Sequence, residues 1–529
     1  MNKVNHIIRM ISKRAEKLEG NYIIESFVDT DGLWDSISVP ENAIIFGRRG
    51  TGKTHLLRYL AEQRVKKKDF SVYIDLRTIG SNGGLYNDDN KKPAERVVTL
   101  IIDTLQSIYD EMIRLAMNIP ADSRVDYSAL MEGLSEFADA ISRTRISGDV
   151  TLKSENSIQD KNSLTLSLEI EAEIKALKAK GQLSAELERI MSSSVSREES
   201  GNEEFHIIYP EINRAVRKIN SSIKQHRIWL LIDEWAEIPQ ELQPYLADMM
   251  KKVFFPHQGF VVKIAAIENR SQFTKYSKSN QIIGIEPSAD ATSHLSLDEF
   301  MVFDNDEQKS QRFFENLIHK HAIAIDNSNT INRRVEKFVS QVFTQGNSMS
   351  EFTRASEGVA RDALNIISDA ALKAGNDKIS VPLIRRAAKD CYMRGKKVSI
   401  ENKDRASDLL NWIVDEVIKT RLAKAFMLEI GIKDPLIDFL FDNRVLHLIK
   451  QNVSAQDIRG KRFNVYSIDY GCYVDLINTT SAPKALLYDD DGQNITIPKS
   501  DYRSIRRSIL DLNEFYASLD DHKAHNNPN

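Results

Sequence analysis

The sequence predicts an α/β protein built on a parallel sheet, followed by an all-helical segment and a smaller mixed C-terminal domain. Three observations predict it. Apolar runs of strand length, such as Ala43–Phe46, Ile228–Ile232 and Gly259–Ile267, alternate with helical stretches. The runs are apolar almost throughout rather than at every second position, as in a strand covered on both faces. Each is followed by glycine or polar residues, at the strand end where an open α/β sheet gathers its ligands. At 529 residues the chain exceeds the roughly 250–300 residues that one core supports, so several domains are expected.

Composition narrows the classes. Net charge is −4, so no global basic field drives nucleic-acid or membrane binding, and any such contact must come from a local patch. Cys391 and Cys472 lie far apart and outside any metal spacing, which fits a reducing cytosol. No apolar run approaches the ~20 residues of a membrane span, and the N-terminus lacks the apolar region of a signal peptide. The expectation is a cytoplasmic protein without membrane contact.

Taken in order, residues 1–40 read as an amphipathic helix and linker, with Ile7, Ile8, Ile11 and Leu18 on one face and residues 27–33 near a ligand wall. The first strand covers 42–46 and its helix 53–66, with Leu56, Leu57, Leu60 and Val65 apolar. Phe70–Leu76 is a second strand, and a helix follows over 94–117. Residues 120–204 break the pattern. Leu164, Leu166, Leu168 and Ile170 alternate as in a strand, yet the continuation to Leu187 is rich in helix formers, and both readings stay open. The segment is an inserted arm for oligomerisation or a partner, or else a disordered spacer. The alternation resumes over 205–305, with a last core strand expected at 299–303, and residues 306–400 are helical.

The stretch from Ala43 to Leu57 is an apolar strand, then Gly47-Arg48-Arg49-Gly50-Thr51-Gly52-Lys53-Thr54, then His55 inside a starting helix. This is the spacing and context of a phosphate-binding loop. Its glycines let successive N–H groups curl inward on phosphate oxygens, and the helix aims its positive end at the same place. Lys53 adds a charge for the β/γ-phosphates, and the Thr54 hydroxyl is placed for Mg²⁺. A second apolar strand delivers Asp233, for Mg²⁺, and Glu234, for polarising the attacking water. The strand ending at Ile267 delivers Asn269 to orient that water, with Glu268 the second choice. The implied ligands are ATP and Mg²⁺.

Gly358-Val359-Ala360-Arg361-Asp362-Ala363-Leu364 opens a helix in the next segment. With these motifs together, the chain resembles AAA+ P-loop ATPases of the initiator clade, the origin-recognition-complex and helicase-loader type. The resemblance implies a helical lid at 306–400, a "sensor 2" role for Arg361 and a "sensor 1" role for Asn269. It implies a homo-oligomer in which a neighbour supplies an arginine, and Arg270, Lys275 and Lys278 lie near the right region. Trp235 after the acidic pair and the 120–204 insertion depart from the plain pattern. Asp233-Glu234-Trp235 and Gln243–Asp248 resemble a bacterial branch associated with phage defence, which implies an effector-protein partner. Residues 401–529 join helices to two alternating strands around Arg459-Gly460-Lys461-Arg462, suggesting a winged-helix-like domain. Its basic tip, Arg459, Lys461 and Arg462, is the candidate DNA contact. The implied function is an ATP-driven switch acting with DNA as a loader or initiator. The alternative is a signalling ATPase of antiphage defence that controls an effector.

Overall fold

Buried β-branched and leucine-rich runs have to hide both faces, and here they do so in one parallel sheet. The computed structural model describes residues 3–18, 20–29, 32–79, 92–120, 123–142, 145–146, 203–204, 207–298, 307–421, 423–432, 434–454, 458, 460–474 and 508–525. The sheet strands are β1 (Ala43–Phe46), β2 (Phe70–Asp75), β3 (Ile228–Asp233), β4 (Phe260–Ala266) and β5 (Thr292–Ser296). Their spatial order is β2-β3-β4-β1-β5, and every pairing is parallel. The fifth strand thus lies earlier than expected; residues 299–303 fall outside the described residues. Parallel pairing sends all five carboxyl ends to one edge, which is where the site must form.

Before and within the core run α1 (Lys3–Met10), α2 (Lys53–Lys66), α3 (Pro93–Met117), α4 (Tyr127–Ser142), α5 (Tyr209–Ser222) and α6 (Gln243–Val253). Adjacent strand residues point to opposite faces. Ile45, Trp229 and Leu231 therefore pack with Leu56, Leu57 and Leu60 of α2. Ile44, Leu230 and Ile232 pack with α3, α4 and α5 on the other side. Val65 of α2, expected on the apolar face, is exposed.

Two expectations are corrected here. Residues 127–142, assigned to the inserted arm, form α4, whose Leu134 and Phe137 are fully buried against α3 and α5. The core therefore extends at least to Ser142. Beyond it, residues Arg145–Ile146 pair antiparallel with Glu203–Glu204, which joins the two ends of the segment. Residues 147–202, including the ambiguous 164–187 stretch, lie outside the described residues. The described residues of 27–33 do not line the ligand cavity; Phe27 instead stacks on Tyr59, with ring centroids 3.8 Å apart.

The helical segment comprises α7 (Glu307–Ile325), α8 (Val335–Val342), α9 (Gly346–Ala355), α10 (Ala360–Ala374) and α11 (Val381–Cys391). The amphipathic α1 packs into this segment. Ile7 and Ile8 are buried in its cluster, and Asn5 donates to the carbonyls of Gly375 (3.0 Å) and Asp377 (2.8 Å). The C-terminal domain has α12 (Ala406–Ile413), β6 (Ala425–Glu429), α13 (Pro435–Asp442), β7 (Leu446–Ser454) and β8 (Arg462–Ile468). Its antiparallel sheet runs β6-β8-β7. One helix stands between β6 and the hairpin, where a helix-turn-helix would place a pair. The closing helix spans Leu512–His525. Among the described residues no helix is long and apolar enough to cross a membrane.

Candidate active site

The turn from β1 into α2 needs backbone that curls back on itself, and glycine supplies it. Gly50 and Gly52 have φ of +86° and +105°, the left-handed region where a side chain is strained. A Cβ on Gly50 would also stand 2.9 Å from the Cβ of Arg361. Lys53 opens α2 and donates its Nζ to the carbonyls of Gly47 (2.6 Å) and Arg48 (2.9 Å), while the Thr51 hydroxyl donates to Arg48 O (2.9 Å). Burial pushes the Lys53 pKa down, and Asp233, Asp298 and Glu234 oppose that shift. Phosphate oxygens entering here would relieve the same desolvation.

The β3 end supplies the carboxylates. Asp233 is fully buried; its Oδ2 accepts from the Tyr73 hydroxyl (2.7 Å) and its Oδ1 from the Glu234 N–H (2.9 Å). Glu234 has φ of +57°, a conformation costing an L-residue roughly 1–2 kcal/mol. Burial, then Asp233, raises its carboxyl pKa above the ordinary value, with Lys53 and Arg77 pulling the other way. The Arg77 guanidinium lies 3.6 Å from Glu234 Oε1 and is clasped by Asp75.

The lid completes the cavity. Arg361 starts α10, and its backbone N–H donates to Gly50 O (2.9 Å), so the helix sits directly on the loop. Burial, then Arg444, lowers the Arg361 pKa. Arg361, Lys53, Thr54, His55, Arg49, Arg77 and Glu234 line one cavity of about 340 Å³, within the range that holds small molecules. Its far wall is the Ser12–Leu18 segment with Leu317, His321 and Leu364. His55 Nε2 bonds Ile23 O (3.0 Å), and the Tyr22 hydroxyl bonds His321 Nδ1 (3.0 Å). Burial lowers the His321 pKa to about 3, so its imidazole is neutral. The oxygen-only pair Thr54 and Asp233 suits a hard cation, and each Asp233 oxygen, bound by one donor, keeps a lone pair for it.

Residues 11–83, which contain the cavity's N-terminal wall, the loop, α2 and β2, match a family model described as ORC-CDC6-like. No curated protein matches this chain. Among solved structures it is similar to the Orc1 protein of Aeropyrum pernix in complex with DNA, at 11% identity and TM-score 0.32, over 84% of this chain and 90% of that one. It is also similar to Drosophila ORC bound to DNA, at 12% identity and TM-score 0.27, over 83% and 91%. At such scores neither bears on function. The chain itself has a parallel α/β core with a helical segment seated over the loop.

The remaining expected residues divide. Asn269 lies exposed on a short turn after β4 and outside the cavity. Glu268 lines a neighbouring cleft with Gly47 and Arg48. Arg270, a candidate to reach a neighbouring subunit, is ion-paired with Asp442 of its own chain. Lys275 lies over the Tyr245 ring, and Lys278 is exposed on the next turn. In the C-terminal domain Lys461 pairs with Glu429 (2.7 Å) and Arg462 bonds Asn452 O (3.3 Å); Arg459 lies outside the described residues. The Gln243–Asp248 signature has a packing role at its first residue. Buried Gln243 donates to Ile238 O (2.7 Å) and Arg270 O (3.1 Å), tying the β3 and β4 ends together. Sequence reasoning missed Tyr73, Arg77 and Glu237, which holds Arg49. Arg77 and Glu237 follow β2 and β3, at the strand ends where ligands gather, which was the available signal for them, whereas Tyr73 lies inside β2. The Ser12–Leu18 wall carries no such signal.

Proposed function

We propose that this chain is a Mg²⁺-dependent ATPase whose cycle switches the conformation of a homo-oligomer. One observation carries the reading: Lys53, Thr54, Glu234 and Arg361, from three separate elements, line a single cavity. In this reading the N–H groups of residues 50–54 bind phosphate oxygens, Lys53 neutralises the β/γ end, and Arg361 brings the lid's charge to the γ end. Glu234 takes a proton from the attacking water; its raised pKa makes it a better base than a free carboxylate. Thr54 and Asp233 would hold Mg²⁺, which when bound would neutralise charge on the phosphates. Asn269 reaches the γ-phosphate only if the turn carrying it moves. The test is Glu234→Gln. ATP binding should persist while turnover falls at least 100-fold; unchanged turnover would refute the assignment.

We infer further that the ATPase acts with DNA as a loader or initiator, the role suggested by its ORC-CDC6-like match. Arg459, Lys461 and Arg462 would supply the phosphate contacts, so their alanine variants should weaken duplex binding and flatten its salt slope. A specific observation favours the second reading, a signalling ATPase of antiphage defence that holds an effector protein. Helix α13, beside the hairpin, carries Asp438 and Asp442 and no cation, and Lys461 is already paired. Absence of salt-dependent DNA binding would leave this second reading standing.

A further inference from the structure

Arg48 belongs to the phosphate loop but does not line the nucleotide cavity. Its side chain is 1% exposed and runs the other way, into the junction of three domains. Nε donates to Asp298 Oδ1 (2.8 Å) beyond β5, Nη2 to Glu357 O (3.1 Å) in the lid, and Nη1 to His447 Nδ1 on β7. A guanidinium can only donate, so Nδ1 of His447 must accept. The ring's N–H then sits on Nε2, which donates to Asp469 Oδ2 (3.1 Å). His447 is therefore a neutral relay with both nitrogens engaged, and burial holds its pKa down at about 4.

The relay continues back to the lid. Asp469 also accepts from Lys396. Lys396 pairs with Asp362 (2.9 Å), and Asp362 Oδ1 accepts from Arg444 Nη1 (2.6 Å). Asp362 directly follows Arg361, whose N–H grips Gly50 O. Arg444 Nη1 stands 3.3 Å from where a Gly50 Cβ would be. The path leaves the loop at Arg48, crosses the C-terminal domain and returns to the loop at Gly50. Arg48, His447, Asp469, Lys396 and Asp362 are all buried. Removing one member of such a network strands its partners in a dry site, which costs far more than an exposed pair.

We propose that this relay makes seating of the C-terminal domain and a phosphate-ready loop a single equilibrium. The inference rests on the ATP-site reading above. A docked C-terminal domain holds Arg48 from behind the loop and fixes Asp362, hence Arg361, in front of it. Nucleotide in the loop holds the domain down in return, because coupling between two sites is reciprocal. Arg48, His447 and Arg444 are positioning residues here. A partner that pulls on the C-terminal domain thereby loosens nucleotide.

The experiment uses the full chain, a fluorescent non-hydrolysable ATP analogue, and hydrogen exchange of peptides from β7 and β8. Nucleotide should slow exchange there in the wild type. His447→Ala should weaken nucleotide binding about fivefold or more and abolish the nucleotide-dependent protection. His447→Gln offers an acceptor and a donor again and should restore both. If His447→Ala fails to fold, Arg444→Gln cuts the relay at its more exposed end and is read the same way. Lys53→Ala separates the two claims: it should lose nucleotide while keeping the unliganded protection of β7 and β8. A wild type that binds no nucleotide overturns the ATP-site reading, and this inference with it. A wild type that binds, with variants that bind equally tightly and show equal protection, overturns the inference alone.

Discussion

Lys263 sits in the middle of β4, fully buried, with its Nζ 3.0 Å from Val39 O and 5.7 Å from the centroid of the Trp229 ring. Burial, with Arg64 nearby, pushes its pKa from 10.5 down to about 7. The unfolded chain thus binds a proton that the folded chain has lost between those two values, so stability contributed at this site rises with pH across that window. Below pH 7 the charged form is buried and the full penalty is present. At about 1.4 kcal/mol per pKa unit, a gap of about 3.5 units is worth roughly 5 kcal/mol. Lys263→Met keeps the volume and removes the charge. Urea unfolding followed through the neighbouring Trp229 fluorescence should show the variant more stable than wild type at pH 6.5 by several kcal/mol. That advantage should shrink steadily towards pH 10. A difference that stays flat from pH 6.5 to 10 would refute the argument, because only a titrating Lys263 makes the gap depend on pH.

Four further outcomes are expected. Turnover should fall on acidification with a midpoint above the ordinary glutamate value of 4.5, since Glu234 must be ionised and its pKa is raised; a pH–rate profile reads this directly. Arg361→Ala should weaken binding of a triphosphate analogue roughly 10- to 100-fold, the worth of a hydrogen bond to a charged group, and diphosphate binding much less. Phe137→Ala should destabilise the core by about 3–5 kcal/mol in chemical denaturation; a negligible loss would return α4 to a peripheral arm. Tyr73→Phe removes the hydroxyl donor to Asp233 and should raise the Mg²⁺ concentration needed for half-maximal activity, with little change in nucleotide affinity.

Much of the fold was legible because it rests on local rules. The bounds of α2 and the residues of β1, β3 and β4 follow from apolar period and from glycine placement around Lys53. Features set by distant packing were not legible. Leu130, Leu134 and Phe137 lie at helical spacing, yet nothing local says that their partners are α3 and α5. The fifth strand escaped notice because His294, Ser293 and Ser296 interrupt its apolar pattern at the sheet edge. At the site, the loop, Asp233, Glu234 and Arg361 carry recognisable spacing. Arg48 stands in the loop motif, yet its guanidinium bonds Asp298, Glu357 O and His447, the last 399 positions away. Asn269 was placed by strand-end logic, which locates the edge of the sheet but not the direction a short turn gives its side chains.

Helix α1 grips carbonyls 370 and 372 residues further along the chain. During synthesis at roughly 5–20 residues per second, its partners are made about 20–70 s after it. For that interval Ile7 and Ile8 lack the lid surface against which they are buried in the fold. Closure of α1 over the lid is therefore a late step of assembly.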